Sequence, residues 1–293
     1  MDNVWFITGS SRGLGRSLTA AVLAAGQRVA ATARRPEQLA DLVAQYGDRI
    51  LPLALDVTDK AQITKAVADA IAHFGRLDVV VNNAGFGITG AVEGYTEEQV
   101  RSQFETNLYA PIAITRAVLP QLRQQRSGHI LQIGSMGGRV GNPGAAIYQA
   151  AKFGLGGFSE ALAKEVAPLG ICVTCVEPGG FRTDWATDSM TYAPEVPGYE
   201  TTVGPRIAML RGGTFEPMGD PDKAAQVMLK LVENPAPPVH LLLGSEAVAI
   251  TEYAENARRA ELEKWRPVSV SSDRDGVPNF LDTEFGKAYL QNR

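Results

Sequence analysis

The sequence has few of the residues that bind metals or form disulfides. Its 293 residues include only three histidines, His73, His129 and His240, which are scattered without the spacing of metal ligands. The two cysteines form a Cys-x-x-Cys, a pattern also found in redox and metal sites. However, Cys172 and Cys175 lie in a strand-like apolar run, where residues three apart point to opposite faces. We interpret them as two reduced core thiols and predict no metal site.

The chain also lacks long hydrophobic runs and clusters of basic residues. Lys and Arg total 28 against 32 Asp and Glu, a formal charge of −4. This balance disfavours nucleic acid and anionic membranes as partners. A strand-like run begins at Val4, which leaves no room for a charged region and an apolar segment of a leader. No stretch is long enough to span a bilayer. We therefore expect a cytoplasmic protein with no membrane partner.

Short β-branched runs alternate regularly with longer amphipathic ones. This alternation predicts an α/β fold with a doubly wound, Rossmann-type parallel sheet of about seven strands and helices on both faces. With 45% hydrophobic residues, positions 1–293 can form one domain. Ligands of such sheets bind beyond the carboxyl ends of the strands. The expected strands are Val4 to Thr8, Arg28 to Ala33, Ile50 to Asp56, Leu77 to Asn82, His129 to Gly134, Ile171 to Glu177 and Val239 to Leu243, and helices should begin near Gly13, Pro36, Lys60, Thr96, Ala145 and Pro221.

A glycine-rich turn follows the first expected strand and opens the first helix. Glycines there permit a tight turn and let a pyrophosphate approach backbone amides at the helix start. A glycine-rich turn without a ligand is the alternative. The motif runs from Thr8 to Gly15 and supplies Gly9, Ser11, Arg12, Gly13, Leu14 and Gly15 as candidate cofactor-binding residues.

The end of the second strand bears on the choice of dinucleotide. An acid at this position binds the adenosine ribose of NAD, whereas an arginine accommodates the 2′-phosphate of NADP. Arg34 stands here and Arg12 lies in the glycine loop, whereas Glu37 follows Pro36 into the next helix. We therefore favour NADP(H) over NAD(H), with solvated arginines as the alternative.

Polar and small residues end the third, fourth and fifth strands. The third strand ends at Asp56 and Val57, and Asn83, Ala84 and Gly85 follow the fourth, where backbone can approach a ligand. Asn107 is a poor helix former inside a helix, so an inward-facing amide would need partners. Ser135 ends the fifth strand, and we interpret its hydroxyl as a hydrogen-bond donor to a carbonyl group.

Tyr148 and Lys152 are four residues apart in an expected helix and therefore share one face. Lowering the pKa of a tyrosine from about 10 to about 7 takes roughly 4 kcal/mol. An ammonium at about 5 Å and an effective dielectric constant of about 20 supplies about 3 kcal/mol of this. The pair is a candidate acid and base, although a core tyrosine beside a solvated lysine is the common explanation of such a spacing.

Taken together, these motifs resemble the short-chain dehydrogenase/reductase family from about Val4 to Thr183. Pro178, Gly179 and Thr183 complete the pattern, and Ala151 departs from it where the family often has serine. The resemblance implies a catalytic tetrad of Asn107, Ser135, Tyr148 and Lys152. It further implies that Lys152 lowers the tyrosine pKa and binds the nicotinamide ribose, that Asn107 holds a relay water, that Asp56 meets the adenine, and that Pro178, Gly179 and Thr183 bind at the nicotinamide end. Segments around Ser135 and Tyr148 resemble the hydroxysteroid and retinol dehydrogenase branch.

The chain changes character after Thr183. Residues 184–219 have weak periodicity and are rich in Pro, Gly, Met and aromatics, a composition that favours a substrate lid over a fairly apolar pocket. A solvent-facing insertion is the alternative. We expect an extra helix across Ser245 to Trp265 and a flexible or partner-docked tail from Pro267 to Arg293. The large side chains of the lid are Trp185, Met190, Tyr192, Tyr199, Met209 and Phe215.

The resemblance also suggests a homodimer or homotetramer. The small residues Ala150, Gly154, Gly157 and Ala161 on the Tyr148 helix would permit close helix packing, although packing against the chain's own sheet is equally compatible. The leading hypothesis is an NADP-dependent carbonyl reductase or alcohol dehydrogenase acting on a small molecule. An epimerase of the same fold and a non-catalytic NADP-sensing protein are the alternatives.

Overall fold

The computed structural model describes residues 2–183, 189–212 and 216–291. Its main sheet has seven strands in the order β3-β2-β1-β4-β6-β7-β9, and every neighbouring pair is parallel. β5 and β8 pair with each other in a separate small sheet. The strands are β1 (Val4–Ile7), β2 (Arg28–Ala33), β3 (Ile50–Ala54), β4 (Val79–Asn82), β5 (Gly87–Thr89), β6 (Gly128–Ile133), β7 (Ile171–Pro178), β8 (Met190–Tyr192) and β9 (His240–Leu243).

Helices alternate with the strands of the main sheet, as the sequence predicts. The expected helix start at Pro36 is a short 3-10 turn, Pro36–Leu39, that leads into α2. A π-helical turn, Glu105–Tyr109, separates α4 from α5. The helices are α1 (Gly13–Ala24), α2 (Ala40–Tyr46), α3 (Lys60–Phe74), α4 (Glu97–Phe104), α5 (Ala110–Gln125), α6 (Ala146–Val166), α7 (Gly204–Arg211), α8 (Pro221–Glu233), α9 (Ser245–Val270) and α10 (Glu284–Gln291).

Both faces of the main sheet are buried. Along β1, Trp5 and Ile7 belong to one hydrophobic cluster together with residues of α1 and α8, and Val4 and Phe6 belong to a second cluster with residues of α3 and α5. All four side chains are fully buried. Successive strand residues point to opposite faces, so a continuously apolar strand requires a helical layer on each side. The fold is the predicted doubly wound α/β architecture.

The strand order reverses between β1 and β4. β2 and β3 extend the sheet on one side of this pair, and β6, β7 and β9 extend it on the other. Connections that leave β1 and β4 therefore diverge beyond their carboxyl ends and leave a crevice, which is where doubly wound sheets bind ligands. Ile7 pairs in register with Val81, so the segments that begin at Thr8 and Asn83 lie side by side.

The chain divides into two compact units, one ending at Thr251 and the other beginning at Glu252. The second unit contains the remainder of α9, which runs past Trp265 to Val270, and the short helix α10. Within it, the ring of Phe280 lies 6.0 Å from that of Phe285 and 6.4 Å from that of Tyr289. Across the three described stretches, no helix combines the length and hydropathy needed to cross a membrane.

Candidate active site

A cavity of about 770 Å³ lies at the carboxyl ends of the main sheet. All of the residues that the sequence proposes for catalysis and cofactor binding line it, with the exception of Gly15. The topology therefore collects motifs that are dispersed over most of the chain. The predicted residues that line the cavity are Gly9, Ser11, Arg12, Gly13, Leu14, Arg34, Asp56, Val57, Asn83, Ala84, Gly85, Asn107, Ser135, Tyr148, Lys152, Pro178, Gly179 and Thr183.

The glycine loop between β1 and α1 forms one wall. Gly9 and Gly13 have φ angles of 68° and 56°, a left-handed conformation that disfavours residues with a Cβ atom. Arg12 is the N-cap residue of α1, and its side chain makes no capping hydrogen bond. The first amides of α1 are therefore left for a ligand at the positive end of the helix dipole, which favours a phosphate.

Gly15 does not line the cavity, but the packing of the glycine loop requires a glycine at this position. A Cβ atom there would overlap the side-chain amide of Asn83 and the carbonyl oxygen of Gly9. The Asn83 amide occupies this space because its Nδ2 donates to the carbonyls of Thr8, at 2.8 Å, and Gly9, at 3.2 Å. Gly15 thus makes room for the contact that ties the glycine loop to the end of β4.

The predicted adenosine end of the cavity carries the charged residues that the sequence proposes for it. Arg12 and Arg34 are exposed and line the same cavity, whereas the neighbouring Arg35 is exposed but does not line it. Asp56 accepts hydrogen bonds from the amide of Thr58, at 2.9 Å, and from its hydroxyl, at 2.7 Å. The next acid, Asp59, caps α3 by accepting from the amides of Ala61 and Gln62. Two cations and one carboxylate therefore face this end.

Tyr148 is buried in the first turn of α6, beside Ser135 at the end of β6. The hydroxyl groups of the two residues are hydrogen-bonded. The Ser135 hydroxyl also accepts from the amide of Gly137 at 3.0 Å, which fixes its orientation. Burial raises the pKa of Tyr148, while the hydrogen bond with Ser135 and the charge of Arg206 act to lower it. The phenol is therefore protonated at neutral pH and positioned to donate.

Lys152 is buried one turn further along α6 on the same face. Its Nζ donates to the carbonyl of Ile133 at 2.7 Å and lies 5.8 Å from the centre of the Tyr148 ring. Burial lowers the pKa of Lys152 to about 8. The prediction that both side chains share one face is met, and the ammonium is directed at the end of β6.

Asn107 is buried within the π-helical turn and lines the cavity. Its Nδ2 donates to the carbonyl of Phe86 at 2.8 Å, and its Oδ1 accepts from the amide of the same residue at 3.3 Å. Gln103, which sequence reasoning missed, donates to the Phe86 carbonyl and accepts from the amide of Ile88 at 2.8 Å. The two amides fix the backbone that enters β5, and their spacing of four residues is a sequence signal for a shared face.

The predicted nicotinamide end and the described part of the predicted lid segment line the other side of the cavity. Pro178, Gly179 and Thr183 follow β7, and the Gly180 amide donates to Glu246 at 3.0 Å. Of the lid segment, β8 and α7 are described, whereas Trp185 and Phe215 lie outside the described residues. Sequence reasoning also missed Arg206 of α7, which lines the cavity together with Met209 and Leu210.

A second polar cluster lies beside the site. His240 of β9 has its Nδ1 2.9 Å from Glu177 and its Nε2 2.9 Å from Glu160. The pKa of His240 is raised to about 10, mainly by its hydrogen bond with Cys175 and next by its hydrogen bond with Glu177. Cys175, Glu177 and His240 bring three ligand-type atoms within 4.8 Å of one another, a grouping that the separated histidines in the sequence did not suggest. Both cysteines are free thiols, and only Cys175 is a buried core residue, because Cys172 is partly exposed.

The family model described as short chain dehydrogenase matches residues 3–192. The chain belongs to the short-chain dehydrogenase family. The oxidoreductase BOA17 of Botryotinia fuckeliana is 47% identical over 273 residues, which are 93% of this chain and 100% of that protein. A solved short-chain dehydrogenase from Streptomyces avermitilis has a TM-score of 0.89 and 42% identity, covering 94% of this chain and 100% of that one.

A further solved short-chain dehydrogenase, from Burkholderia cenocepacia in complex with NADP, has a TM-score of 0.72 and 25% identity, covering 89% of this chain and 96% of that one. Membership of the family makes the protein an oxidoreductase that uses a nicotinamide dinucleotide. The narrower resemblance to hydroxysteroid and retinol dehydrogenases stays a prediction.

Proposed function

We propose that this short-chain dehydrogenase is an NADP-dependent carbonyl reductase and alcohol dehydrogenase that acts on a ketone or the corresponding secondary alcohol. The observation that supports it most is the buried Tyr148 phenol, hydrogen-bonded to Ser135 in the same cavity that the glycine loop and Arg34 line. A proton donor and a phosphate-binding loop in one cavity are the two parts that carbonyl reduction with a dinucleotide requires.

The residues of the cavity fit a dinucleotide. The left-handed glycines of the loop and the uncapped start of α1 suit a pyrophosphate, and Arg12 and Arg34 suit a 2′-phosphate. Asp56 and Val57 would border the adenine, and Pro178, Gly179 and Thr183 would border the nicotinamide. When bound, NADP(H) supplies or accepts the hydride.

The proton is handled by the protein. The Ser135 hydroxyl, held by the Gly137 amide, would orient the substrate oxygen, and Tyr148 would donate its proton to that oxygen during reduction. Lys152 would bind the nicotinamide ribose and favour the phenolate once the proton has left. Asn107, which lines the cavity next to this group, would hold a water that returns the proton.

The apolar side chains that line the cavity support a mainly apolar substrate body. They include Phe86, Met136, Phe181, Met209 and Leu210. Side chains of this kind favour binding of an apolar ligand because its surface is removed from water. A few polar groups of the cavity then fix the orientation of the ligand.

We also propose that the enzyme is a homodimer or homotetramer assembled through α6. Ala150, Gly154, Gly157 and Ala161 are all exposed along one side of this helix, so this face does not pack against the chain's own sheet. The aromatic residues Tyr109 and Phe153 are also exposed, at 53% and 42% of their surface. Small residues flanked by exposed aromatic rings suit close packing against a second copy.

The test of the proposed function is NADPH oxidation by the purified protein with a panel of ketones, aldehydes, quinones and steroids, and with NADH in parallel. Tyr148→Phe should abolish turnover, a loss of at least roughly 100-fold for a general acid, while NADPH binding measured by fluorescence stays close to unchanged. Tyr253→Phe, at a tyrosine with an exposed fraction of 79%, is the matched control and should keep full activity. Turnover retained in Tyr148→Phe would remove this residue from the acid and base role.

A further inference from the structure

Arg206 of α7 brings a guanidinium into the wall of the cavity on the side of the lid. The charged residues among the described lining are Arg12, Arg34, Asp56, Lys152, Arg206 and Glu246. Arg12, Arg34 and Asp56 belong to the adenosine end, and Lys152 donates to the Ile133 carbonyl. A Cβ atom at Gly144 would lie 3.4 Å from Cδ of Arg206, so the aliphatic stem of the arginine packs on the Gly144 backbone. The stem of Arg206 is therefore packed beside Gly144, while its side chain lines the cavity.

Within the described parts of the chain, no carboxylate pairs with Arg206. Its Nε is buried without a hydrogen-bond partner. Among the described acids, Glu195 pairs with Arg211 at 2.6 Å and Glu93 hydrogen-bonds with Tyr199. The groups that influence the Arg206 charge are the phenols of Tyr148, Tyr95 and Tyr192.

The neighbouring phenols do not replace a carboxylate. Burial raises the pKa of Tyr95 to about 12 and also raises that of Tyr148, so both phenols are neutral at physiological pH. Burial lowers the pKa of Arg206, which shows the cost of its desolvation. A guanidinium nevertheless keeps its charge in proteins. A partly buried cation without an anion is unfavourable unless a ligand supplies one.

We propose that Arg206 binds a carboxylate of the substrate, so that the enzyme reduces oxo acids or oxidises the matching hydroxy acids. This inference rests on the proposed carbonyl reductase function and specifies its substrate class. A guanidinium pairs with a carboxylate through two parallel hydrogen bonds, which would satisfy the buried Nε and fix the substrate in one orientation.

The position of Arg206 also limits where the carboxylate lies. Arg206 and Tyr148 line the same cavity, and Tyr148 would donate to the reacting oxygen, so a substrate held by both would carry its carboxylate and its carbonyl in one molecule small enough for this cavity. The rest of the substrate would contact Met209, Leu210 and the other apolar residues of this wall. The expected substrates are therefore oxo acids with an apolar body.

The test compares acids with their neutral esters. Phenylglyoxylate and 4-oxo-4-phenylbutanoate, each beside its methyl ester, are reduced with NADPH by the wild type, Arg206→Leu, Arg206→Lys and Arg211→Leu. Loss of a charge-assisted pair should lower kcat/KM of Arg206→Leu for the acids by roughly 10- to 100-fold, mainly through KM, and change the esters by less than about threefold. Arg206→Lys should recover part of the loss. Arg211→Leu, on the same helix but outside the cavity lining, should behave as the wild type.

The outcomes separate this inference from the proposed function. Reduction of the esters with no preference for the acids would overturn the carboxylate assignment and leave carbonyl reduction standing. An equal loss for acids and esters in Arg206→Leu, with a shifted pH profile, would also overturn it, because Arg206 would then act only on Tyr148.

Calorimetric titration of 4-oxo-4-phenylbutanoate into the enzyme with NADP⁺ gives a readout that needs no turnover. Binding that Arg206→Leu abolishes would support the carboxylate site even if the panel showed no reduction and the proposed function failed. Absence of binding to the wild type, together with no preference for acids, would overturn the inference.

Discussion

Replacing Arg34 by aspartate tests whether the end of β2 selects NADP. A guanidinium about 4 Å from a phosphate charge gains about 1 kcal/mol at the dielectric constant of water and about 4 kcal/mol at an effective value of 20. Arg34 is exposed yet lines the cavity, so an intermediate gain of about 2 kcal/mol applies. Aspartate removes this attraction and adds repulsion. We expect NADPH binding to weaken by roughly 100-fold, since each 1.4 kcal/mol is a factor of ten.

NADH lacks the 2′-phosphate, so its affinity in Arg34→Asp should change by less than about threefold or rise, because a carboxylate at this position can accept a ribose hydroxyl. The assay is fluorescence titration of both cofactors. Arg35→Asp is the matched control: it makes the same charge change at the adjacent exposed residue, which does not line the cavity.

The salt dependence of NADPH binding provides an independent check that Arg34 acts through its charge. Because the Debye length falls from about 10 Å at 0.1 M to about 3 Å at 1 M ionic strength, the difference between wild type and Arg34→Asp should shrink at high salt. Equal weakening of NADPH and NADH, or the same loss in Arg35→Asp, would refute the assignment of Arg34 to the 2′-phosphate.

Two further predictions concern stability and assembly. The folded-state pKa of His240 is raised to about 10, so its stabilising contribution is complete below the unfolded value of about 6.5 and is lost as pH rises through 10. The Tm of the wild type should therefore fall between pH 7 and 10, and His240→Gln should flatten this fall; parallel profiles would contradict it. Gly157→Arg should dissociate the proposed oligomer in light scattering coupled to gel filtration, whereas Ala61→Arg, at an exposed position of α3, should not. An unchanged mass would move the interface away from α6.

Much of the fold could be predicted because its signals are local. Runs such as Val79 to Val81 are apolar at every position, which requires cover on both faces, and the residues that end each parallel strand must then meet at one edge. This reasoning brings Asp56, Asn83 and Ser135 to the same cavity, where the structure has them.

The features that were missed depend on contacts between distant segments. β5 is only three residues long and pairs with β8, about a hundred positions later, so neither has a periodic pattern to reveal it. The same applies to Arg206. Its segment has weak periodicity, and nothing local shows that an arginine there enters the cavity. Gln103 is different, because its spacing of four residues from Asn107 could have identified it.

The pKa of Tyr148 could not be predicted from the spacing of residues in the sequence alone. A separation of four residues brings Tyr148 and Lys152 to one face of α6, but the effect of an ammonium depends on the direction in which it points. The Nζ of Lys152 donates to the Ile133 carbonyl, and burial, which costs a phenolate its solvation, dominates the pKa of Tyr148. The groups that oppose burial here are the Ser135 hydroxyl and the Arg206 charge. A substrate carboxylate on Arg206 would offset that charge and keep Tyr148 protonated until the substrate oxygen takes its proton. Binding of an anionic substrate and retention of the proton would thus depend on the same arginine.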